Sequence, residues 1–495
     1  MKKIIGIFIC MMLLGTVNFS VLGTQEINLK NDIDSYIIDF MDNLNIPGLS
    51  AGIVKSNEIV WKNSYGYANL EENIKVENTT LFMLASISKT ITGTAVMQLF
   101  EQDYFDLDDS INDYLPFQVN HPLYDTDITF KMLVTHTSSI QDNWDYIPFY
   151  EGDSPLSLGY YLEEYFTPGG EFYSADDNFR NRKPGTNFAY SNVGSALVGF
   201  LVEVMSDMSF EDYCQMYIFN PLNMYDTSWF LEGLNISNIA IPYEGDFEPH
   251  EHCGASFYPA GLLRTSTPQL CNFVISMLNN GTFESNSILS EDTVDIIFTP
   301  HFTNLPFGWG DMIGIFWFGD EVEDGVLNWG HGGSTTGVRT SCTIYPSDDL
   351  GVVVLTNGPG SNNINPLVSE LYEYGKEITN KPPANPTVIY DKENNELVIK
   401  SVDPDDNKIR YGVSWENNQN IDYWTDYYNS SLEIRIDCQN HKNTVGVITE
   451  DEYGGQSEWI SVTSKIKSYI SPLQLFLDKL SHSFQIFEKI LNQIK

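Results

Sequence analysis

Apolar residues recur at helical spacing through residues 32–44, at Ile33, Tyr36, Ile37, Phe40, Met41 and Leu44, and Pro47-Gly48 stops the run. Residues 49–55 and 59–67 are two strand-like runs parted by a short polar turn. A second helix is expected over residues 87–102, with Ile91, Ala95, Val96 and Leu99 on one face and Ser86, a side chain of N-cap type, just ahead of it. Residues 129–140 read as a short helix and its loop, and 193–205 and 210–219 as helices. Strand patterns follow at 311–318, 326–329, 338–345 and 350–356, with Gly330-His331-Gly332-Gly333 between the second and third, and 364–378 reads as a closing helix. Helices at both ends with hairpin-spaced strands between them predict an α/β (α+β) fold, an antiparallel sheet with helices against its faces.

The texture changes after a Pro-rich linker at 379–386. Short alternating strands at 396–402, 409–415, 432–436, 445–449 and 459–462 predict a small all-β, immunoglobulin-like sandwich over 387–464. From 468 to 495, Leu473, Leu477, Leu480, Phe484, Phe487, Leu491 and Ile494 alternate steps of four and three, which predicts an amphipathic helix. Five lysines from Lys465 onward face only Asp478 and Glu488. This tail is expected to attach to a membrane surface or to self-associate rather than dock on its own chain. At the other end, Lys2 and Lys3 precede an apolar run from Ile4 to Leu14, and small residues follow at Ser20 and Gly23. Residues 1–23 read as a secretory signal, with an uncleaved anchor as the alternative, so the chain is expected to be secreted or held at the cell surface.

Charge narrows the partners. The chain has 495 residues, with 67 acidic against 26 basic ones, a net charge of −41. Such a field repels nucleic acid. Residues 139–179 hold nine acids and no lysine or arginine, interleaved with aromatic residues such as Trp144, Phe149 and Tyr165. An insertion of this kind walls a cleft or decorates a surface. Cys214, Cys253, Cys271, Cys342 and Cys438 have spacings that match no metal site. Neither metal nor cofactor is expected.

The chemistry starts at Ser86 and Lys89. Residues i and i+3 on a helix are neighbours, so the amine lies about one turn from the hydroxyl. A hydroxyl becomes a nucleophile when a base takes its proton. Alone the pattern is weak, since it recurs at Ser464 and Lys467. Tyr190-x-Asn192 adds a phenol able to move a proton and an amide able to orient the lysine. A glycine pair at Gly332-Gly333 lets a substrate backbone approach a sheet edge.

In order, Ser86-x-x-Lys89, Tyr190-x-Asn192 and His331-x-Gly333 resemble the serine β-lactamase and penicillin-binding-protein superfamily, closest to its branch of class C-like β-lactamases, D-alanyl-D-amino-acid peptidases and esterases. Leu133-Val-Thr-His-Thr-Ser-Ser-Ile140, Pro184-Gly-Thr186 and Pro259-Ala-Gly-Leu-Leu-Arg-Thr-Ser266 are similar to other stretches of that family. The resemblance covers about 28–378 and implies a helical subdomain beside the sheet. It implies Ser86 as the acyl-forming nucleophile, Lys89 and Tyr190 as shared base and proton shuttle, and Asn192 as a positioning group. His331 stands where class C β-lactamases carry a lysine, which implies a peptidase or esterase rather than an efficient β-lactamase. Gly333 and Ser334 fall in the substrate-binding strand, and the backbone N–H groups of Ser86 and Ser334 would hold the oxyanion. Ser139 and Leu262 replace residues that are commonly glycine in the family. The expected function is an exported serine hydrolase acting through an acyl-enzyme on amide or ester bonds of a small molecule or peptide. The alternative is a non-catalytic binding protein that keeps the fold.

Overall fold

A computed structural model describes residues 33–463 apart from 304, 323–324, 379–380, 382, 392–393, 405–406, 416–418, 420, 439–443 and 452–453. The expected signal at 1–23 and amphipathic tail at 468–495 lie outside the described residues, as does part of the linker.

The central sheet is antiparallel. Its order is Phe302–Thr303, Met312–Ile313, Phe318–Glu321, Leu327–Thr335, Val338–Tyr345, Leu350–Thr356, Gly48–Lys55, Glu58–Asn69 and Ile74–Lys75. Alternation along its middle strands builds two cores. Val352 and Val354 join Leu49, Ala51 and Ile53 under the helices Ile33–Leu44 and Asn365–Glu377. Val353 and Leu355 face the other way, into a larger core shared with the helices Ser88–Phe100, Asn192–Ser206 and Thr267–Leu278. Strands covered on both faces carry apolar residues at consecutive positions, which is why 350–356 reads as an unbroken run.

Four local expectations are corrected. Ser86 caps no helix: it sits in a 3-10 turn, Ala85–Ile87, and the α-helix starts at Ser88. That helix is buried on every side from Ser88 to Leu99, not on one face. Its threonines survive burial by hydrogen bonding to carbonyls, Thr90 to Ile87 at 2.8 Å and Thr92 to Pro259 at 2.7 Å. Residues 311–318 are not one strand, because Phe316 at φ 58° turns the chain between Ile313 and Phe318. The glycines at 330–333 lie inside a nine-residue strand, and the reversal comes at Gly337, where φ is 65°.

Beyond the linker, two sheets pack on Leu397, Ile399, Ile409, Tyr411, Val413, Val445 and Val447. Strands Thr387–Asp391 and Tyr423–Trp424 add to those expected. This β region meets the large sheet through charge. Glu450 Oε2 lies 3.1 Å from Nζ of Lys62 on the Glu58–Asn69 strand, with both side chains buried. Arg410 Nε donates to the other oxygen at 2.9 Å. Among the described residues no single helix is long and apolar enough to cross a membrane.

Candidate active site

Ser86 stands at the floor of a cleft of about 820 Å³, on the turn that enters the buried helix. Ala85 just before it has φ 47°, a conformation that costs a non-glycine residue on the order of 1 kcal/mol. The turn is pinned by a loop residue and by a sheet residue. Leu263 holds the Leu84 N–H at 2.8 Å, and Thr340 Oγ1 donates to the Leu84 carbonyl at 2.7 Å. Ser86 itself is half-buried, and its hydroxyl is shared by two groups. Lys89 Nζ lies 3.1 Å from Oγ, and the Tyr190 phenol forms a second hydrogen bond to it.

Lys89 is fully buried. Its amine donates to Asn192 Oδ1 at 2.7 Å and to the Ala260 carbonyl at 2.6 Å. Both oxygens only accept, so each requires an N–H. The third direction of the nitrogen points at Ser86 Oγ. When the amine is neutral its lone pair is therefore aimed at the serine hydroxyl. Burial pushes its pKa down to about 7, with the Asp142 carboxylate working against that fall.

Tyr190 packs against His136, with ring centroids 4.3 Å apart, and against Trp309 at 4.8 Å. Burial raises its pKa well above the ordinary phenol value, while the hydrogen bond to Ser86 pulls the other way. The phenol is neutral throughout the physiological range. Lys89 is thus the group able to take the first proton, and Tyr190 is placed to relay one.

His331 contributes no charge. Burial, then the Lys89 ammonium, pushes its pKa down to about 3. Its Nδ1 lies 2.7 Å from the Gly332 carbonyl, an acceptor, so Nδ1 carries the hydrogen. Nε2 is then an acceptor, buried and without a hydrogen-bond partner among the described residues. Gly333 lies beneath the nucleophile turn: a β-carbon there would sit 2.1 Å from the Leu84 oxygen. Its lack of a side chain admits the turn, whereas Gly332 is open to the cleft side. The Ser334 hydroxyl donates to the Gly360 carbonyl at 2.7 Å.

The fold thus gathers Ser86, Lys89, Tyr190, Asn192 and His331 from three distant segments around one cleft, with Gly333 and Ser334 on its strand. Residues 33–371 match the family model described as Beta-lactamase. The chain belongs to the beta-lactamase family. It is 25% identical to Protein flp of Staphylococcus aureus (strain NCTC 8325 / PS 47) over 335 residues, 66% of this chain and 63% of the relative's length. It is 27% identical to Penicillin-binding protein 4* of Bacillus subtilis (strain 168) over 182 residues, covering 35% of this chain and 36% of that protein. Among solved structures, the octameric penicillin-binding protein homologue from Pyrococcus abyssi shares the fold with a TM-score of 0.56 at 19% identity, covering 87% of this chain and 95% of that one. A class C beta lactamase from Rhodobacter sphaeroides does so with a TM-score of 0.55 at 22% identity, covering 69% and 97%. Ser139 occupies φ 64°, a left-handed conformation that glycine adopts more readily than serine.

Sequence reasoning missed Asp142, which lines the cleft and touches Asn192, and Trp309, which covers Tyr190. Asp142 was one of nine acids in its stretch. The signal available was its place two residues beyond the Leu133–Ile140 motif.

Proposed function

We propose that the chain is an exported serine hydrolase that forms an acyl-enzyme at Ser86 from amide or ester substrates. The observation that carries this reading is the fixed Lys89 amine, two of its hydrogens held by carbonyl oxygens and its remaining direction on Ser86 Oγ. In the first step the Oγ–H proton passes to neutral Lys89 as the Oγ–carbon bond forms. The oxyanion takes hydrogen bonds from the backbone N–H groups of Ser86 and Ser334. The carbon–leaving-group bond then breaks, and the proton returns to the leaving group through Tyr190. Water repeats the sequence and frees Ser86. No metal enters any step.

A neutral His331 supplies no cation for a substrate carboxylate at that position. That favours ester or amide turnover over β-lactam hydrolysis. Export rests on the charged and apolar pattern of residues 1–23, and surface or membrane attachment on the tail. Intact-mass analysis after a fluorophosphonate probe tests the chemistry. Wild type should gain one probe mass and Ser86→Ala none; an equal adduct on both overturns the proposal.

A further inference from the structure

We propose that Asp142 is a positioning residue for the Ser86–Lys89 pair, and that the acidic insertion is the brace that holds it. This rests on the serine-hydrolase reading of the site.

The Asp142 carboxylate is saturated by four donors. Oδ1 accepts from Ser191 Oγ and from the Val193 N–H, each at 3.0 Å. Oδ2 accepts from the Asn192 N–H at 3.0 Å and from Asn192 Nδ2 at 2.7 Å. Two of these donors are unpaired amides of the first turn of Asn192–Ser206, where a negative charge is favoured. The contact to Nδ2 decides the rest. An amide whose nitrogen is bound to a carboxylate has only its oxygen left for the opposite side. That oxygen is the one that accepts from Lys89 at 2.7 Å. Rotate the amide and two donors would face each other across the amine. Asp142 therefore fixes the direction of Lys89, and so the direction of its lone pair, through one intervening side chain.

Asp142 also acts by charge. The groups facing Lys89 are Ser86, Tyr190, Asn192, the Ala260 carbonyl and, farther off, the imidazoles of His136 and His331. Among the described residues Lys89 has no carboxylate within ion-pair distance. Asp142, one amide away, is the acid that raises its proton affinity, against the larger effect of burial.

The insertion fastens the segment on both sides of Asp142. Tyr165 Oη donates to the Gln141 carbonyl at 2.6 Å and accepts from the Asn143 N–H at 2.9 Å. Asn178, fully buried, accepts from Asn143 Nδ2 at 3.0 Å and donates to the Tyr165 carbonyl at 2.9 Å. Burial raises the pKa of both Tyr161 and Tyr165 above the ordinary phenol value, and the Asp142 charge adds to the rise. The insertion is thus built into the site's support rather than laid over its surface.

The test is the pH profile of kcat/KM on a p-nitrophenyl ester, in the full chain, for Asp142→Asn, Asp142→Glu and Tyr165→Phe. Asp142→Asn should lower kcat about tenfold or more and move the acidic limb down by about one pH unit, because Lys89 loses the supporting charge of Asp142. Asp142→Glu keeps the charge, so its limb should stay in place while kcat falls. Tyr165→Phe should lower kcat with the limb unmoved. A helix-capping role alone would reduce stability and activity without moving the limb for Asp142→Asn, and that result overturns the proposal. Should Asp142→Asn not fold, a limb displaced in Asp142→Glu, or an unchanged kcat in Tyr165→Phe, overturns it equally. Fluorophosphonate labelling of wild type separates the two failures: no adduct at Ser86 removes the hydrolase reading itself, whereas a normal adduct with an unmoved limb removes only the role of Asp142.

Discussion

Replacing Gly333 with alanine would place a methyl carbon 2.1 Å from the Leu84 oxygen, 2.1 Å from Thr340 Oγ1 and 3.1 Å from the Ala85 β-carbon. Real β-carbon contacts do not fall below 3.0 Å, so strand and turn must separate by at least about 0.9 Å. The hydrogen bond from Thr340 to Leu84 lies in that gap and is lost. Leaving a buried carbonyl unsatisfied costs about 1–3 kcal/mol, and overpacking a core costs a similar amount. A stability loss of about 2–4 kcal/mol follows. Because Leu84 is two residues from Ser86, the displacement also enters the reacting geometry, and an error near 1 Å costs on the order of 100-fold in rate. Gly332→Ala is the internal control for stability, since its β-carbon would meet nothing closer than the Thr340 oxygen at 3.7 Å and stands on the cleft side. Thermal unfolding and kcat/KM on a p-nitrophenyl ester measure both effects. Gly333→Ala with wild-type rate and Tm, or Gly332→Ala as destabilising as Gly333→Ala, would refute the claim that this glycine exists to seat the nucleophile turn.

Three further outcomes are expected. Lys89 accepts a proton only when neutral, so kcat/KM should rise as pH increases through about 7, where burial has brought its pKa; a profile flat from about pH 5.5 to 8.5 contradicts this assignment. Glu450→Gln strands the buried Lys62 charge and should cost about 3–5 kcal/mol in thermal or denaturant unfolding, with an unchanged midpoint counting against the buried pair. Liposome flotation of the full chain, compared with a chain ending at residue 467, should show binding only with the tail; equal flotation removes membrane attachment.

Much of the fold was legible because its elements are long and their apolar period is clear, as in 33–44, 193–205 and 350–356. The Ser86–Lys89 and Tyr190–Asn192 pairs were legible because each is a local spacing. The Gly330–Gly333 stretch was misread as a break between strands, because glycine carries no strand signal of its own. What holds it in the strand is its pairing with Val338–Tyr345 and the turn lying on Gly333. Asp142 was hidden for a related reason. Its partners lie 49 to 51 residues away, and only the fold distinguishes it from its acidic neighbours. Lys62 and Glu450, separated by 388 positions in sequence, are a buried pair that no local pattern announces.

The central claim is that Ser86 becomes covalently acylated with Lys89 as its base. Acid-quenching the enzyme during turnover of a p-nitrophenyl ester, followed by peptide mapping by mass spectrometry, tests it most directly. Wild type should carry the acyl mass on the peptide containing Ser86, and Lys89→Ala should lack it. An acyl group on any other residue, or the same Ser86 adduct formed equally fast without Lys89, would contradict it.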